Sequence, residues 1–241
     1  SPRNGEVARE NATKPGPEEN PMQEEQKKKI RIFIVDDHEV VCLGLIQFLN
    51  SHAHLHVCGQ AGDANAAIAS INDCSPDIAV VDISLEGISG IELIKAIKSR
   101  YRQVTVLALS MHAEKEVVRR ALQADASGYV LKSEPIEQLV DAIGKAVEGK
   151  SYISEPLRES LLDIMTGKEG PESLMSDLTD RELEIFTLIG QGCDRREIAR
   201  RLGISTSTIG TYRDRIKTKL NMKSSGELIK FAVEWSGRGN K

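Results

Sequence analysis

The sequence predicts two domains of different class: an α/β unit built on a parallel sheet, then a small all-α unit. Three observations carry this. Five short runs rich in β-branched residues recur between residues 30 and 131, with amphipathic segments alternating between them. Residues 178–236 hold no convincing strand but four readable helices. Charge divides at the same place. Residues 178–241 carry 13 Lys/Arg against 8 Asp/Glu, net +5, whereas residues 1–177 carry 19 against 28, net −9, within an overall −4. An acidic body with a basic C-terminal piece suits a chain whose second domain meets a polyanion.

Taken in order, residues 1–28 contain Pro2, Pro15, Pro17, Pro21 and six Glu but almost no large apolar residue, and are expected to form a disordered tail. The predicted strands are Ile30–Val35, Leu55–Cys58, Ile78–Val81, Val104–Leu109 and Gly128–Leu131. Between and after them lie helical patterns at Glu39–Leu49, Ala64–Ile71, Gly90–Ser99, Glu114–Ala124 and Ile136–Glu148, with apolar residues at helical spacing as in Ile91, Ile94 and Ile97. Near-continuous apolar strands separated by helices mean a parallel sheet covered on both faces. Five βα units make a complete doubly wound domain over residues 29–150, with the flavodoxin-like strand order 2-1-3-4-5 as the expectation. Residues 151–177, with Gly167, Gly170 and Pro171, read as a linker in which Pro156–Met165 has room for a helical turn.

In residues 178–241, Thr179 and Glu182 form a capping box and Leu178 with Leu183 a hydrophobic staple, opening a helix that runs to about Gly190. A second helix covers Arg195–Leu202, Gly203 breaks it, Ser205 caps a third reaching Leu220, and a fourth spans Ser225–Trp235. Short helices with a Gly at the middle turn suit a four-helix helix-turn-helix domain.

At 40% hydrophobic and 28% charged residues the composition is that of a soluble globular protein. No run approaches the roughly 18 apolar residues of a membrane helix and the N-terminus lacks a secretory pattern, so a cytoplasmic protein without membrane contact is expected. Cys42, Cys58, Cys74 and Cys193 form no CxxC and are expected as reduced thiols. His52, His54, His56 and Cys58 alternate, but are read as straddling a helix end and an edge strand rather than as a metal site. His38 is read as outer lining of the neighbouring acid pair.

Asp36 and Asp37 end the first predicted strand and Asp82 the third. In the expected strand order these ends are neighbours at the point where ligands bind in open α/β sheets. Three converging carboxylates repel unless a cation intervenes, and a hard, oxygen-seeking ion such as Mg²⁺ answers that need. Ser110 ends the fourth strand and Lys132 the fifth. Carboxylates, a hydroxyl and a lysine around one pocket are the parts for phosphoryl transfer.

The set VDDH (35–38), VVDISLEGISG (80–90), ALSMH (108–112) and GYVLK (128–132) resembles the receiver domain of bacterial response regulators. The resemblance implies that Asp82 accepts a phosphoryl group from a histidine kinase. It implies that Asp36, Asp37, Asp82 and the backbone carbonyl of Ser84 hold Mg²⁺, and that Lys132 pairs with the acyl phosphate. Ser110 and Tyr129 would be the switch pair. Many receivers have Pro in the loop where this chain has Glu86 and Gly87.

The third C-terminal helix, TSTIGTYRDRIKTKL, has Ile209, Tyr212, Ile216 and Leu220 on one stripe and Arg213, Arg215, Lys217 and Lys219 over the remainder. One packed face with a basic, hydroxyl-rich remainder suits the DNA major groove. Residues 178–220 closely resemble the LuxR-type helix-turn-helix, and the order of the two resemblances is that of NarL/FixJ-family response regulators. This implies a supporting helix at Arg195–Leu202 and a recognition helix at Thr206–Leu220, with Thr208, Thr211, Arg213, Arg215, Lys219 and Lys223 meeting double-stranded DNA. Some members of the family carry Lys where Gly210 and Asp214 stand.

The expected function is therefore a two-component transcription regulator, not an enzyme, acting as a homodimer when phosphorylated. Glu114–Ala124 and Ile136–Glu148 form the candidate dimer face, and the acidic body is expected to attract the basic domain at rest. Two rivals remain. An Asp-nucleophile phosphatase or phosphotransferase would need an acid/base Asp where Ser84 stands. A phosphorylation-independent DNA-binding regulator would have no use for the complete pocket.

Overall fold

The computed structural model describes residues 28–158 and 175–237. The expected tail up to residue 27, and the part of Pro156–Met165 beyond Arg158, lie outside the described residues. The first domain runs β1 (Ile30–Val35), α1 (Glu39–Asn50), β2 (Leu55–Ala61), α2 (Ala64–Cys74), β3 (Ile78–Asp82), α3 (Gly90–Arg100), β4 (Thr105–Ser110), α4 (Lys115–Gln123), β5 (Gly128–Leu131), α5 (Glu137–Val147) and β6 (Tyr152–Ile153). The second comprises α6 (Asp180–Gly190), α7 (Arg195–Arg201), α8 (Thr206–Lys219) and α9 (Ser225–Ser236).

The sheet is parallel, in the order β2-β1-β3-β4-β5-β6. The expected five-strand order holds, with one addition. Tyr152–Ile153, assigned to the linker from sequence, pairs with Gly128–Tyr129 as a sixth strand, and Ser154 Oγ accepts a hydrogen bond from Leu131 N at 2.9 Å. The connector thus leaves the sheet only after residue 153. Alternation along β1 sends Ile32 and Ile34 to a core shared with α1 and α5, and Phe33 and Val35 to a core shared with α2, α3 and α4.

Helix starts follow the capping logic. Ser89 with Glu92 opens α3 as a capping box, Asp63 caps α2, and Thr179 with Glu182 opens α6 as a capping box. Leu178 and Leu183 are both buried, as the staple requires.

The two domains share one hydrophobic core, because α6 packs against α4 and against the loops following β3 and β4. Arg120 is the centre of the seam. Its guanidinium donates to Asp180 at 3.0 Å, to the Met175 carbonyl at 2.6 Å and to Glu116 at 2.8 Å. Lys95 reaches Asp180 at 2.6 Å. Arg181 donates to the carbonyls of Leu85 (3.3 Å) and Leu202 (3.0 Å), and Gly87 N donates to Leu202 O at 3.2 Å.

Two expectations are corrected here. The ion pairs that cross the seam do not follow the expected attraction between an acidic first domain and a basic second: they join cations of the first, Lys95 and Arg120, to an acid of the second, Asp180. The α4 half of the candidate dimer face is also occupied, since Glu116, Val117, Arg120 and Ala121 are buried and α4 packs on α6.

Candidate functional site

The parallel register brings the strand ends level. Val35 lies beside Val81, Asp82 beside Leu109, and Ser110 beside Leu131. Residues immediately beyond those ends therefore converge, as expected for Asp36, Asp37, Asp82, Ser110 and Lys132. Lys132 bridges the acids, its Nζ lying 2.6 Å from Asp82 Oδ2 and 2.7 Å from Asp36 Oδ2. Asp82 is 2% exposed. Burial is the largest influence on its carboxyl and Asp36 adds to it, while Lys132 opposes, and the pKa stands pushed up to about 6. On Lys132 burial works against the ammonium, but Asp82 and Asp36 outweigh it and the pKa is held above its ordinary value.

Asp37 Oδ2 accepts from Glu86 N at 2.9 Å, tying the acid pair to the loop after β3. Its Oδ1 is buried, and no donor is aligned on it as a hydrogen bond although His38 Nδ1 lies 2.7 Å away. Asp36, Asp37, His38 and Asp82 offer ligand atoms within 4.8 Å of one another. Converging carboxylate oxygens with one buried oxygen unpaired fit a hard divalent cation. The alternating His52, His54 and His56 form no such cluster among the described residues, and the four cysteines are free thiols.

Ser110 and Tyr129 are both 0% exposed and meet at one residue, His112. Ser110 Oγ accepts from His112 N at 3.0 Å, and Tyr129 OH donates to His112 O at 2.8 Å. The ring of Tyr129 is therefore turned inward. The His112 side chain spans the seam: Nε2 is 2.9 Å from Ser84 Oγ, while Nδ1 is 3.1 Å from Gln191 Nε2 and 3.5 Å from Glu114 Oε2. Burial disfavours its charged form, but Glu114 outweighs that and raises the pKa. Glu184, facing His112 from α6, is fully buried and pushed up to about 7 by that burial against the pull of Arg181 and His112. Glu114 Oε2, Glu184 Oε1 and Thr187 Oγ1 are buried at this seam without a hydrogen bond.

In the second domain α8 packs through Ile209 and Ile216, both 0% exposed, with Tyr212 and Leu220 half-buried beside them. Of the residues expected to meet DNA, Thr211, Arg215, Lys219 and Lys223 are exposed. Thr208 and Arg213 are only half exposed, so they lie toward the flanks of that surface. Arg215 rests on the Tyr212 ring at 5.8 Å, and Lys219 pairs with Glu182 of α6 at 2.6 Å. Among the described residues no hydrogen bond or ion pair joins α8 to the first domain.

Sequence reasoning passed over His112, Gln191, Arg120, Asp180 and Arg195. The first four become neighbours only through docking of the two domains, which leaves no trace in spacing. For Arg195 a signal existed, the glycine in the middle of α8.

Comparison with known proteins agrees with this geometry. Residues 32–144 match the family described as response regulator receiver domain, and residues 176–232 match the family described as bacterial regulatory proteins, luxR family. The chain is 33% identical over 204 residues to the transcriptional activator protein ExaE of Pseudomonas putida, covering 84% of this chain and 95% of that protein. It is 32% identical over 205 residues to the DNA-binding transcriptional activator DevR/DosR of Mycobacterium tuberculosis, covering 85% and 94%. Among solved structures it is similar to the RcsB response regulator of Salmonella typhimurium, at TM-score 0.55 and 26% identity, covering 85% of this chain and 98% of that one. It is also similar to a LuxR-family two-component response regulator from Aurantimonas sp. SI85-9A1, at TM-score 0.55 and 30% identity, covering 58% and 99%. With a receiver fold carrying an acidic strand-end pocket, a LuxR-type helical domain behind it and relatives matched along nearly their whole length, the chain belongs to the NarL/FixJ family of transcriptional response regulators.

Proposed function

We propose that Asp82 is the phosphoacceptor of a two-component system and that its phosphorylation governs DNA binding by α8. The observation that carries this is the Lys132 bridge between Asp82 and Asp36 in a pocket also holding Asp37 and Ser110. A carboxylate oxygen of Asp82 attacks the phosphorus of a phosphohistidine on the kinase. The P–N bond breaks and its electron pair leaves with the imidazole nitrogen. Lys132 offsets the negative charge gathered on the phosphoryl oxygens. Asp36, Asp37, Asp82 and the Ser84 carbonyl would hold Mg²⁺, whose chemistry is to neutralise carboxylates and phosphoryl oxygens together.

The Ser110 hydroxyl turns to donate a hydrogen bond to a phosphoryl oxygen of phospho-Asp82, and this turn disturbs His112, whose N–H it accepts and on which Tyr129 and Gln191 both rest. The loop 83–87 feels the same event, because it carries Ser84, Glu86 and the contacts of Leu85 and Gly87 to the second domain. Domain release then frees the α4 face, and two copies pair on a two-fold DNA site. Beside the pocket an apolar groove lined by Val40, Met111, Ile136 and Lys132 offers a seat for a kinase helix. The working units are a receiver from residue 29 through β6 and a DNA-binding domain from residue 178 to 241, acting in the cytoplasm, where histidine kinases present their phosphohistidine. Ser84 supplies no second acid for turnover, which favours this reading over a phosphatase.

With Mg²⁺ and acetyl phosphate the full chain gains one phosphoryl mass and binds a two-fold duplex more tightly, while Asp82→Asn gains none. Labelling that persists in Asp82→Asn would refute the acceptor assignment.

A further inference from the structure

The outer stripe of α8, opposite Ile209 and Ile216, runs through Ser207, Thr211, Asp214 and Thr218, with the half-exposed Gly210 at its edge. None of these side chains is cationic, and Gly210 leaves a gap in the middle of the surface that faces a DNA groove. Glycine is a poor helix former, so its place in a helix interior asks for a packing reason. The reason comes from the neighbouring helix. Arg195, the first residue of α7, lays its guanidinium across α8 at this point. Its Nε donates to the Thr206 carbonyl at 2.5 Å, and a Cβ placed on Gly210 would fall on its terminal nitrogen. Thr206, Gly210 and Asp214 are four residues apart and form one line along α8. Asp214, held below the ordinary carboxylate range first by Lys217, also feels Arg195 and Arg213. The guanidinium thus lies along that line with its Nε engaged and its two terminal nitrogens in no hydrogen bond with a described residue.

We propose that Arg195 is a base-reading residue of the DNA interface, its guanidinium taking over Gly210 the place of a side chain that α8 itself lacks. The inference rests on α8 being the DNA-reading helix. The ligand chemistry is the O6/N7 edge of a guanine in the major groove, which matches two parallel terminal N–H groups. A phosphate contact would suit a residue on the rim of the helix pair. Arg195 instead lies along the Thr206–Gly210–Asp214 line that borders the outer stripe, with Nε anchored to Thr206, and this fixes the fork against α8.

The test is selection of bound duplexes from a randomised library by the phosphorylated full chain, followed by titration of the selected duplex at several salt concentrations. Arg195→Ala is expected to lose about tenfold or more of discrimination at one base pair per half-site and to keep its preferences elsewhere. Arg195→Lys keeps the charge without the fork, and is expected to lose the same preference while holding the wild-type salt slope. Arg195→Ala with Gly210→Lys regains a preference at that position, because the lysine then has the space the guanidinium left. Arg195 is exposed and the cap of α7 is Asp194, so these variants keep the fold, which circular dichroism checks. An equal loss for all sequences, with the salt slope reduced by about one, would make Arg195 a phosphate contact and overturn the proposal. So would unchanged discrimination. A wild type that selects no sequence at all would instead defeat the underlying reading of α8.

Discussion

Asp180→Asn is the sharpest probe of the seam between the domains. In the native chain this carboxylate receives Arg120 at 3.0 Å and Lys95 at 2.6 Å, and the Asp180 side chain is 7% exposed. Removing one partner of a buried ion pair costs about 3–5 kcal/mol when the other is stranded. Two features reduce that here. Arg120 keeps Glu116 and the Met175 carbonyl, and the Lys95 side chain, 54% exposed, returns to water. About 1–2 kcal/mol of docking free energy then disappears, a factor of about 5–30 in the ratio of docked to separated domains. Small-angle X-ray scattering of the unphosphorylated full chain, with dye pairs placed one on each domain, reads that shift directly. The variant is expected to have a larger radius of gyration and lower transfer efficiency, moving toward the values of the phosphorylated wild type. Circular dichroism unchanged from wild type separates loss of docking from loss of fold. Scattering and transfer identical to wild type would refute the reasoning that this pair holds the seam.

Further expectations concern pH, packing and DNA. Glu184 is pushed up to about 7 and His112 is also raised, so the docked form binds more protons than the separated one. Linkage then makes docking strongest at acid pH and weaker as pH rises through about 7. The other groups facing Glu184 are Arg181 on its own helix and Asp82 across the seam. Scattering from pH 5 to pH 8 checks this, and Glu184→Gln should remove the part of the dependence that lies below about pH 7. Gly90→Ala would drive a methyl group into the Asp82 carbonyl and Ile83 Cα. A loss of about 1–3 kcal/mol in thermal or urea unfolding is expected, with slower phosphorylation because the strand end must move. Arg215→Ala with Lys219→Ala should weaken binding to all duplexes and flatten the salt dependence by about two phosphate contacts. An unchanged slope in a filter-binding titration would remove α8 from the groove.

The strands and the acid pocket were legible because each depends on local composition. A parallel strand buried on both faces must be a run of apolar residues, and the pocket follows from which residues stand at the ends of β1, β3, β4 and β5. The sixth strand escaped because two residues in a Ser- and Glu-rich stretch carry no period. The seam escaped for a different reason. Glu116 and Arg120 read as ordinary i, i+4 surface charges, and only Asp180, sixty residues later in the chain, makes their burial tolerable. Gly210 is intermediate: a glycine inside a helix marks a close approach, and only the fold shows that Arg195 makes it.

The helix α6 is buried from both sides, by its own domain and by the receiver, within the one core the two domains share. In a bundle of four short helices the first helix would leave about half its circumference to water, yet here residues 180–189 are all buried. Parting the domains therefore uncovers a flank that was never built as outer surface, bearing Asp180, Arg181, Glu184 and Thr187 among apolar neighbours. Mutational tolerance should reflect this double duty: α6 should be the least substitutable helix of the second domain, and α9, where Ile229 and Val233 are exposed, should accept more change. The tether between residue 153 and α6 matters in the same way. It keeps that uncovered flank at high effective concentration next to α4, so a released domain returns to its own chain unless another copy or a DNA site holds it away.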